Sequence, residues 1–252
     1  MARTINITII NPITGNIRLS KPQIDRLCRP GVSITEAPVT AGPPSIESRV
    51  DGAMAVPGMI ATALQAERDG AHALVIGCMS DPGLDALREA VAIPVIGLAQ
   101  TSMATAATLA HSFAFVTVLN RVVPILRDNA SQCGFERHYA GCRALDIPVL
   151  EIHSRAPEEV QDRLGRLSLE LVEQAGAGAI ILGCGALLGC ADDIQEYLAA
   201  RGVLVPVIDP LPTAVAFAVT LVEQGLSHSR ISYPQFQMKP YTGYGFVGGM
   251  HG

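Results

Sequence analysis

Two stretches of the chain repeat one another and end on the same dipeptide. Residues 69–78 read Asp-Gly-Ala-His-Ala-Leu-Val-Ile-Gly-Cys, and residues 175–184 read Ala-Gly-Ala-Gly-Ala-Ile-Ile-Leu-Gly-Cys. Short aliphatic runs bounded by glycine are typical of a strand that is buried on both faces of a parallel sheet. The repeat therefore predicts two similar halves, each with a cysteine directly after the carboxyl end of a strand. In open α/β sheets, ligands bind at that end.

Strands and helices alternate along the predicted chain, and no Asn-Gly or Asp-Gly dipeptide joins two predicted strands. This alternation predicts an α/β fold with parallel sheets flanked by helices. The repeat predicts two pseudo-symmetric lobes, one sheet in each, whose cysteines could face each other across an active site in the cleft between the lobes. We expect lobe 1 to comprise residues 1–98 and 209–252 and to carry Cys78, and lobe 2 to comprise residues 99–208 and to carry Cys184. Among the finer predictions are a helix that Asp81 caps and a strand at residues 147–152.

Composition excludes several classes of function. The chain has 252 residues, 49% of them hydrophobic, and a net charge of −5. These values indicate a compact globular protein and disfavour nucleic acid or an anionic membrane as a partner. No signal peptide is recognisable at the start and no Cys-x-x-Cys pair occurs, so we expect reduced thiols in the cytoplasm. The histidines lack metal-ligand spacing, no phosphate-binding glycine loop follows a strand, and the only lysines, Lys21 and Lys239, are poorly placed for pyridoxal chemistry.

A pair of thiols at equivalent strand ends can perform acid–base chemistry. A thiolate is a base, and its pKa falls when the thiol lies near a helix amino terminus. Two thiols on opposite faces of one carbon can remove a proton from one side and return a proton from the other, which inverts a stereocentre without a cofactor. The backbone N–H groups of Met79, Ser80, Gly185 and Ala186 could stabilise the enolate oxygen that forms between them. The other cysteines are interpreted as small hydrophobic residues, namely Cys28, Cys133, Cys142 and Cys190.

The chain resembles the aspartate/glutamate/hydantoin racemase superfamily and is most similar to its hydantoin racemase branch, which includes allantoin racemases. The motifs that carry the resemblance span nearly the whole chain: Asn11-Pro12-x-Thr14, Gly77-Cys78-x-Ser80-Asp81-Pro82-Gly83-Leu84, Val116-Thr117, Leu182-Gly183-Cys184, and Pro206-Val207-Ile208-Asp209-Pro210. The resemblance implies a two-lobed enzyme without cofactor or metal, with Cys78 and Cys184 as the acid–base pair. It places Asn11, Ser80, Thr117, Gly183 and Gly185 near the substrate, and it implies a homo-oligomer.

Departures from the family pattern restrict the class of substrate that we expect. The chain has Met79-Ser80 and Gly185-Ala186 where amino-acid racemases place polar residues that hold a free amino acid. A cyclic ureide, a 5-monosubstituted hydantoin, is therefore the predicted substrate. Ile13 stands where the branch commonly has asparagine, so we expect either the loss of a polar contact to the substrate or a more apolar pocket. Three alternatives stay open: an allantoin racemase, a maleate isomerase-type enzyme, and a two-lobed protein that only binds a small ligand.

Overall fold

The computed structural model describes residues 4–15, 18–237, 239 and 241–244, and divides the chain into two compact units. The first comprises the described residues of Met1–Gly77, Asp81–Gly97 and Ala214–Gly252. The second comprises Cys78–Ser80 and Leu98–Thr213. The chain thus leaves the first unit for three residues, directly after a strand, and returns to it. The predicted lobe boundaries, which put Cys78 in lobe 1 and a break after residue 208, stay a prediction; the compact units group Cys78 with the second sheet and change at Ala214.

The first unit contains a four-stranded parallel sheet in the order β2-β1-β3-β4. Its strands are β1 (Ile5–Asn11), β2 (Val32–Pro38), β3 (Ala73–Ile76) and β4 (Val95–Gly97). Its helices are α1 (Lys21–Leu27), α2 (Arg49–Arg68), α3 (Leu84–Ala90) and the part of α8 (Pro210–Glu223) that begins at Ala214. All four residues of β3 are inaccessible to solvent, which agrees with the unbroken aliphatic run in its sequence.

The second unit repeats this topology with a sheet in the order β6-β5-β7-β8, again parallel throughout. The strands are β5 (Phe113–Thr117), β6 (Tyr139–Ala144), β7 (Ile180–Leu182) and β8 (Val207–Ile208). The helices are α4 (Leu98–Leu109), α5 (Val123–Gln132), α6 (Pro157–Ala175) and α7 (Ala191–Ala199). The predicted α/β class with two similar sheets flanked by helices is confirmed.

Strand β6 was not predicted, and the strand expected at residues 147–152 is absent. That stretch passes into a 3₁₀ helix at Val149–Ser154. β6 is an edge strand in which only Cys142 is buried, so its residues carry no continuous aliphatic run. An edge strand has one hydrogen-bonded neighbour and partly exposed side chains. Hydrophobic patterning therefore favoured the wrong segment.

The predicted cap of α3 is also wrong. The helix begins at Leu84, and its N-cap residue is Gly83, which has a left-handed backbone with φ of 65°. Asp81 itself has φ of +44°. Its carboxylate turns toward β4, where it occupies the space beside Gly97 that a side chain would otherwise fill. The acidic side chain is therefore engaged with a neighbouring strand and does not cap the helix that follows it.

Candidate active site

The predicted cysteines follow the strands at which each sheet reverses its order. In the first sheet the chain moves from β1 outward to β2 and then returns to β3 on the other side of β1. The second sheet does the same with β5, β6 and β7. The crevice beyond the carboxyl ends of the strands at such a reversal is where open α/β sheets bind ligands. Asn11 and Cys78 mark this position in the first sheet, and Thr117 and Cys184 mark it in the second.

Equivalent backbone hydrogen bonds fix the two cysteines. The N–H of Gly77 donates to the carbonyl oxygen of Ile10 over 2.8 Å, and the N–H of Gly183 donates to that of Val116 over 2.7 Å. Each bond extends the pairing of two central strands by one residue, and the cysteine comes next. Donor and acceptor recur at the same spacing of 106 residues, from 77 to 183 and from 10 to 116. The two thiols therefore occupy matching positions in a repeated fold, and both residues are partly exposed.

The segment after the first cysteine is held by its own polar groups and by a helix. The sulfur of Cys78 lies 3.2 Å from the hydroxyl oxygen of Ser80, within hydrogen-bond distance. The buried Met79 accepts a hydrogen bond at its carbonyl oxygen from the Asn129 side chain on α5, over 3.3 Å. Asn129 therefore orients the peptide group between Met79 and Ser80. The sequence patterns did not indicate this role of Asn129.

The segment after the second cysteine forms a short 3₁₀ helix, Gly185–Leu187, with Cys184 as its N-cap residue. The N–H of Leu187 donates to the carbonyl oxygen of Cys184 over 3.1 Å. A first helical turn leaves its leading N–H groups without intrahelical acceptors. The N–H groups of Gly185, which is exposed, and of Ala186, which is half-buried, are in that position. Binding of a substrate oxygen by these two N–H groups stays a prediction.

Two further predicted residues support the strand ends. Thr117 is fully buried, and its hydroxyl donates to the carbonyl oxygen of Gly183 over 3.0 Å. Asn11, also buried, donates from its side-chain amide to the carboxylate of Glu36 at the end of β2, over 2.8 Å. The second oxygen of Glu36 accepts from the N–H of Leu19. Contact of Thr117 or Asn11 with a substrate stays a prediction.

The structure thus groups most of the predicted residues in one unit. The second unit contains the predicted residues Cys78, Met79, Ser80, Thr117, Gly183, Cys184, Gly185 and Ala186. Asn11 belongs to the first unit. Sequence reasoning missed the supporting roles of Glu36, Asn129 and Asp209. Asp209 stands in a motif that the sequence analysis quoted. Glu36 could have been identified only from its position near the end of a strand.

Other thiols are less suited to acid–base chemistry. Burial raises the pKa of the Cys142 thiol to about 12 and that of the Cys190 thiol to about 11, where the carboxylates of Asp193 and Asp209 contribute. Cys28 is exposed on the segment after α1. Within the described ranges, no three or more His, Cys, Asp or Glu side chains are grouped so as to hold a metal ion. No helix in this part of the chain is long and apolar enough to cross a membrane.

Comparison with known proteins assigns the family. Residues 10–218 match the family model described as Asp/Glu/Hydantoin racemase. The chain belongs to this family. It is 42% identical to a hydantoin racemase of Rhizobium meliloti over 205 residues, which cover 79% of this chain and 81% of the relative. It is 34% identical to a hydantoin racemase of Pseudomonas sp. (strain NS671) over 243 residues, which cover 95% of each.

A solved structure agrees with this assignment. The allantoin racemase from Klebsiella pneumoniae has a TM-score of 0.84 and 31% identity to this chain, and the match covers 96% of this chain and 99% of that one. The chain is therefore a racemase, an isomerase with the two-sheet α/β fold of this family. The alternative of a protein that only binds a ligand is excluded.

Proposed function

We propose that this racemase inverts C5 of 5-monosubstituted hydantoins by a two-cysteine acid–base mechanism without a cofactor. The observation that carries the proposal is the equivalence of Cys78 and Cys184, each placed after a central strand by the same backbone hydrogen bond. A single structural cysteine would need no counterpart at the matching position of the second sheet. A two-base racemase needs two comparable groups that approach one carbon from opposite faces.

The chemistry conserves protons at each step. One cysteine, as the thiolate, takes the C5 proton, and the electron pair of the C–H bond moves into the adjacent C4 carbonyl to form an enolate. The other cysteine, as the thiol, donates its proton to the opposite face of C5. The product is the mirror image of the substrate, and the two sulfurs have exchanged protonation states. The enzyme then returns to its starting state through solvent or catalyses the reverse reaction.

Backbone donors stabilise the enolate in this mechanism. The N–H groups of Gly185 and Ala186 have no acceptor within their 3₁₀ helix, and those of Met79 and Ser80 follow the other cysteine. A donor aimed at a developing oxyanion contributes about 3 kcal/mol to the transition state. The ring carbonyl of a hydantoin provides such an oxygen, and its amide groups are matched by backbone donors and acceptors. Names of relatives support this substrate class, since two curated hydantoin racemases are 42% and 34% identical to the chain.

Allantoin is the second candidate substrate, because the allantoin racemase of Klebsiella pneumoniae matches over 96% of this chain. Allantoin is a hydantoin that carries a ureido group at C5, so the same mechanism applies to it. The difference lies in the pocket for the C5 substituent. Ile13 stands where the hydantoin racemase branch commonly has asparagine, and a more apolar loop would suit an apolar substituent better than the polar ureido group.

The test is to incubate one enantiomer of a 5-alkyl hydantoin with the enzyme in deuterated water. We expect the optical rotation to decay to zero and deuterium to enter C5, followed by polarimetry and NMR. Allantoin and aspartate are measured in parallel, each with an enzyme-free sample that gives the spontaneous rate. A constant rotation with hydantoins would refute the proposed substrate class, and inversion of allantoin alone would assign the second candidate.

Variants test the mechanism. We expect Cys78→Ser and Cys184→Ser each to reduce racemisation by at least about a thousandfold, because a serine hydroxyl is a far weaker acid. Each variant can retain deuterium exchange of one enantiomer only, through the thiol that remains. Cys28→Ser is the matched control, since Cys28 is exposed and follows no strand of the sheet. Full racemisation by either single variant would rule out the two-base mechanism.

A further inference from the structure

In the first unit, one carboxylate lies against the end of β4, at the point where the chain returns from Cys78–Ser80. That carboxylate belongs to Asp81, three residues after Cys78. Its carboxyl carbon lies 2.6 Å, and its Oδ1 2.9 Å, from the point where a β-carbon on Gly97 would stand. Gly97 is the last residue of β4 and is buried. The space beside this strand end is therefore filled by a side chain that comes from the cysteine loop.

A carboxylate makes the corresponding connection in the second unit, from the opposite direction. Asp209 directly follows β8, and its Oδ2 accepts a hydrogen bond from the N–H of Gly189 over 2.8 Å. Gly189 lies five residues after Cys184, in the turn that precedes α7. Here the residue that follows the strand provides the carboxylate, and the turn after Cys184 provides the N–H that donates to it.

The two arrangements occupy equivalent positions of the repeated fold. The N–H of Leu74 donates to the carbonyl oxygen of Pro94 over 2.8 Å, and the N–H of Ile180 donates to that of Pro206 over 2.9 Å. Each of these prolines is followed by Val-Ile and then by the residue in question, which is glycine at 97 and aspartate at 209. A side chain at 97 would have to displace the carboxylate of Asp81, which already occupies that space.

Both carboxylates are held at a cost in free energy. Asp81 has φ of +44°, a left-handed conformation that costs a non-glycine residue about 1 kcal/mol. Burial raises the pKa of Asp209 above its usual range, and its Oδ1 is buried without a hydrogen-bond partner among the described residues. Strained backbone and incompletely paired buried groups concentrate at functional sites, where the surrounding structure maintains them.

We propose that Asp81 and Asp209 are positioning residues: Asp81 fixes its own position, three residues after Cys78, to the end of β4, and Asp209 fixes the turn five residues after Cys184 to the end of β8. The proposal rests on the acid–base role of the two cysteines described above. Asp81 acts by filling the space beside Gly97, whereas Asp209 acts as an acceptor for the Gly189 N–H. Neither side chain exchanges a proton with the substrate in this proposal.

Four variants separate these roles from general damage to the fold. Asp81→Ala empties the space beside β4, and Asp209→Ala removes the acceptor. Asp209→Asn keeps an oxygen for the Gly189 N–H and should restore activity to near the wild-type value. The double variant Asp81→Gly with Gly97→Asp moves the carboxylate to the strand, as in the second unit, and relieves the left-handed strain at residue 81. Gly97→Asp alone would collide with the Asp81 carboxylate.

We expect each alanine variant to lower kcat by about 10- to 100-fold with a smaller change in KM, because a misplaced acid–base group slows proton transfer. Asp81→Ala should slow the step at Cys78, so the enantiomer deprotonated by Cys184 exchanges its C5 proton with solvent faster than it racemises. Asp209→Ala should produce the same excess of exchange with the opposite enantiomer. The double variant should recover at least half of the activity lost in Asp81→Ala. Asp25→Ala, on the exposed face of α1, is the matched control.

A second readout needs no substrate and so stands apart from the proposed function. Iodoacetamide alkylation, followed at each cysteine by mass spectrometry, should change severalfold at Cys78 in Asp81→Ala and at Cys184 in Asp209→Ala, with the other cysteine unaffected. Site-selective alkylation changes with no hydantoin turnover in the wild type would keep the positioning roles and refute the substrate. Equal effects on both cysteines, the same favoured enantiomer in both variants, or no rescue by Asp209→Asn would overturn the proposal.

Discussion

The Thr117 hydroxyl donates a hydrogen bond to the carbonyl oxygen of Gly183 over 3.0 Å, although 66 positions separate the two residues. Thr117 is fully buried at the end of β5, and Gly183 precedes Cys184 at the end of β7. A β-carbon on Gly183 would stand 2.8 Å from the β-carbon of Thr117. The approach of the two strands is thus so close that one residue must be glycine, and a hydrogen bond ties them together beside the thiol.

Replacing Thr117 by valine tests this bond. Valine keeps the shape of threonine but leaves a buried carbonyl oxygen without its donor, so we expect Thr117→Val to lower the free energy of unfolding by about 1–3 kcal/mol. Thr117→Ser keeps the hydroxyl and loses only a methyl group, so its loss should be about 1 kcal/mol. Urea unfolding at pH 7 measures both. A valine variant that is no less stable than the serine variant would contradict the role assigned to the hydroxyl.

Two glycines of α2 should respond in opposite ways to alanine. At Gly52 the nearest heavy atom to a new β-carbon is Cβ of Pro82 at 3.9 Å, so Gly52→Ala should stabilise the protein by about 0.5–1 kcal/mol through reduced backbone entropy. At Gly58 a β-carbon would overlap the carbonyl oxygen of Ala41 and lie 3.2 Å from Cβ of Val39. Gly58→Ala should therefore destabilise by about 1–3 kcal/mol. Thermal unfolding of the two variants measures this difference, and equal shifts in melting temperature would contradict the packing described for α2.

His228 should make the protein sensitive to acid. Its Nε2 accepts a hydrogen bond from the N–H of Val95 over 2.6 Å, so the imidazole is neutral. Burial lowers its pKa from 6.5 to about 4; the positive charges of Arg88 and Arg230 act in the same direction, and Asp85 opposes them. Its contribution to stability is complete above pH 6.5, where the unfolded imidazole is also neutral. It is lost as the pH falls toward 4.

Replacement by glutamine tests this contribution, because its side-chain oxygen can accept from Val95 but does not titrate. The imidazole is half-exposed, so we expect only about 1–2 kcal/mol after allowance for solvent screening. The difference in free energy of unfolding between pH 7 and pH 4 should be smaller by that amount in His228→Gln. His111→Gln, at an exposed position, is the matched control for a histidine-to-glutamine substitution. An identical pH dependence in wild type and His228→Gln would contradict the assignment.

The remaining thiols should differ in reactivity. At pH 8 a thiol with a pKa of about 11, as at Cys190, is roughly one-thousandth thiolate, and Cys142 with a pKa of about 12 even less. The exposed Cys28 is accessible to the reagent and should be alkylated while the thiols of Cys142 and Cys190 stay unmodified over the same period. Mass spectrometry of peptides from the folded protein measures this order, and urea-unfolded protein serves as the control in which the difference disappears. Comparable labelling of Cys28 and Cys190 would contradict the burial described here.

Fold class could be predicted from sequence because buried parallel strands leave a clear pattern. The run before Gly77 is solidly aliphatic, and it coincides with β3 at Ala73–Ile76. The edge strand β6 could not be predicted in this way, since its residues are mostly part-exposed and its pairing partner, β5, lies elsewhere in the chain. The left-handed backbone conformation of Asp81 could not be predicted either, because Asp-Pro is an ordinary sequence at the start of a helix.

By itself, the sequence determined that the chain forms two similar α/β halves with a cysteine after one strand of each, since both statements depend on local hydrophobic pattern and on a repeat. Only the tertiary structure decided that these strands flank the reversal of order in their sheets. It also decided which groups support the cysteines: Thr117 against Gly183, Asp81 against Gly97, and Asp209 against Gly189. The physical reason is that hydrogen bonds and close contacts depend on distances in space, and residues 16 to 66 positions apart leave no mark of such distances in the local sequence.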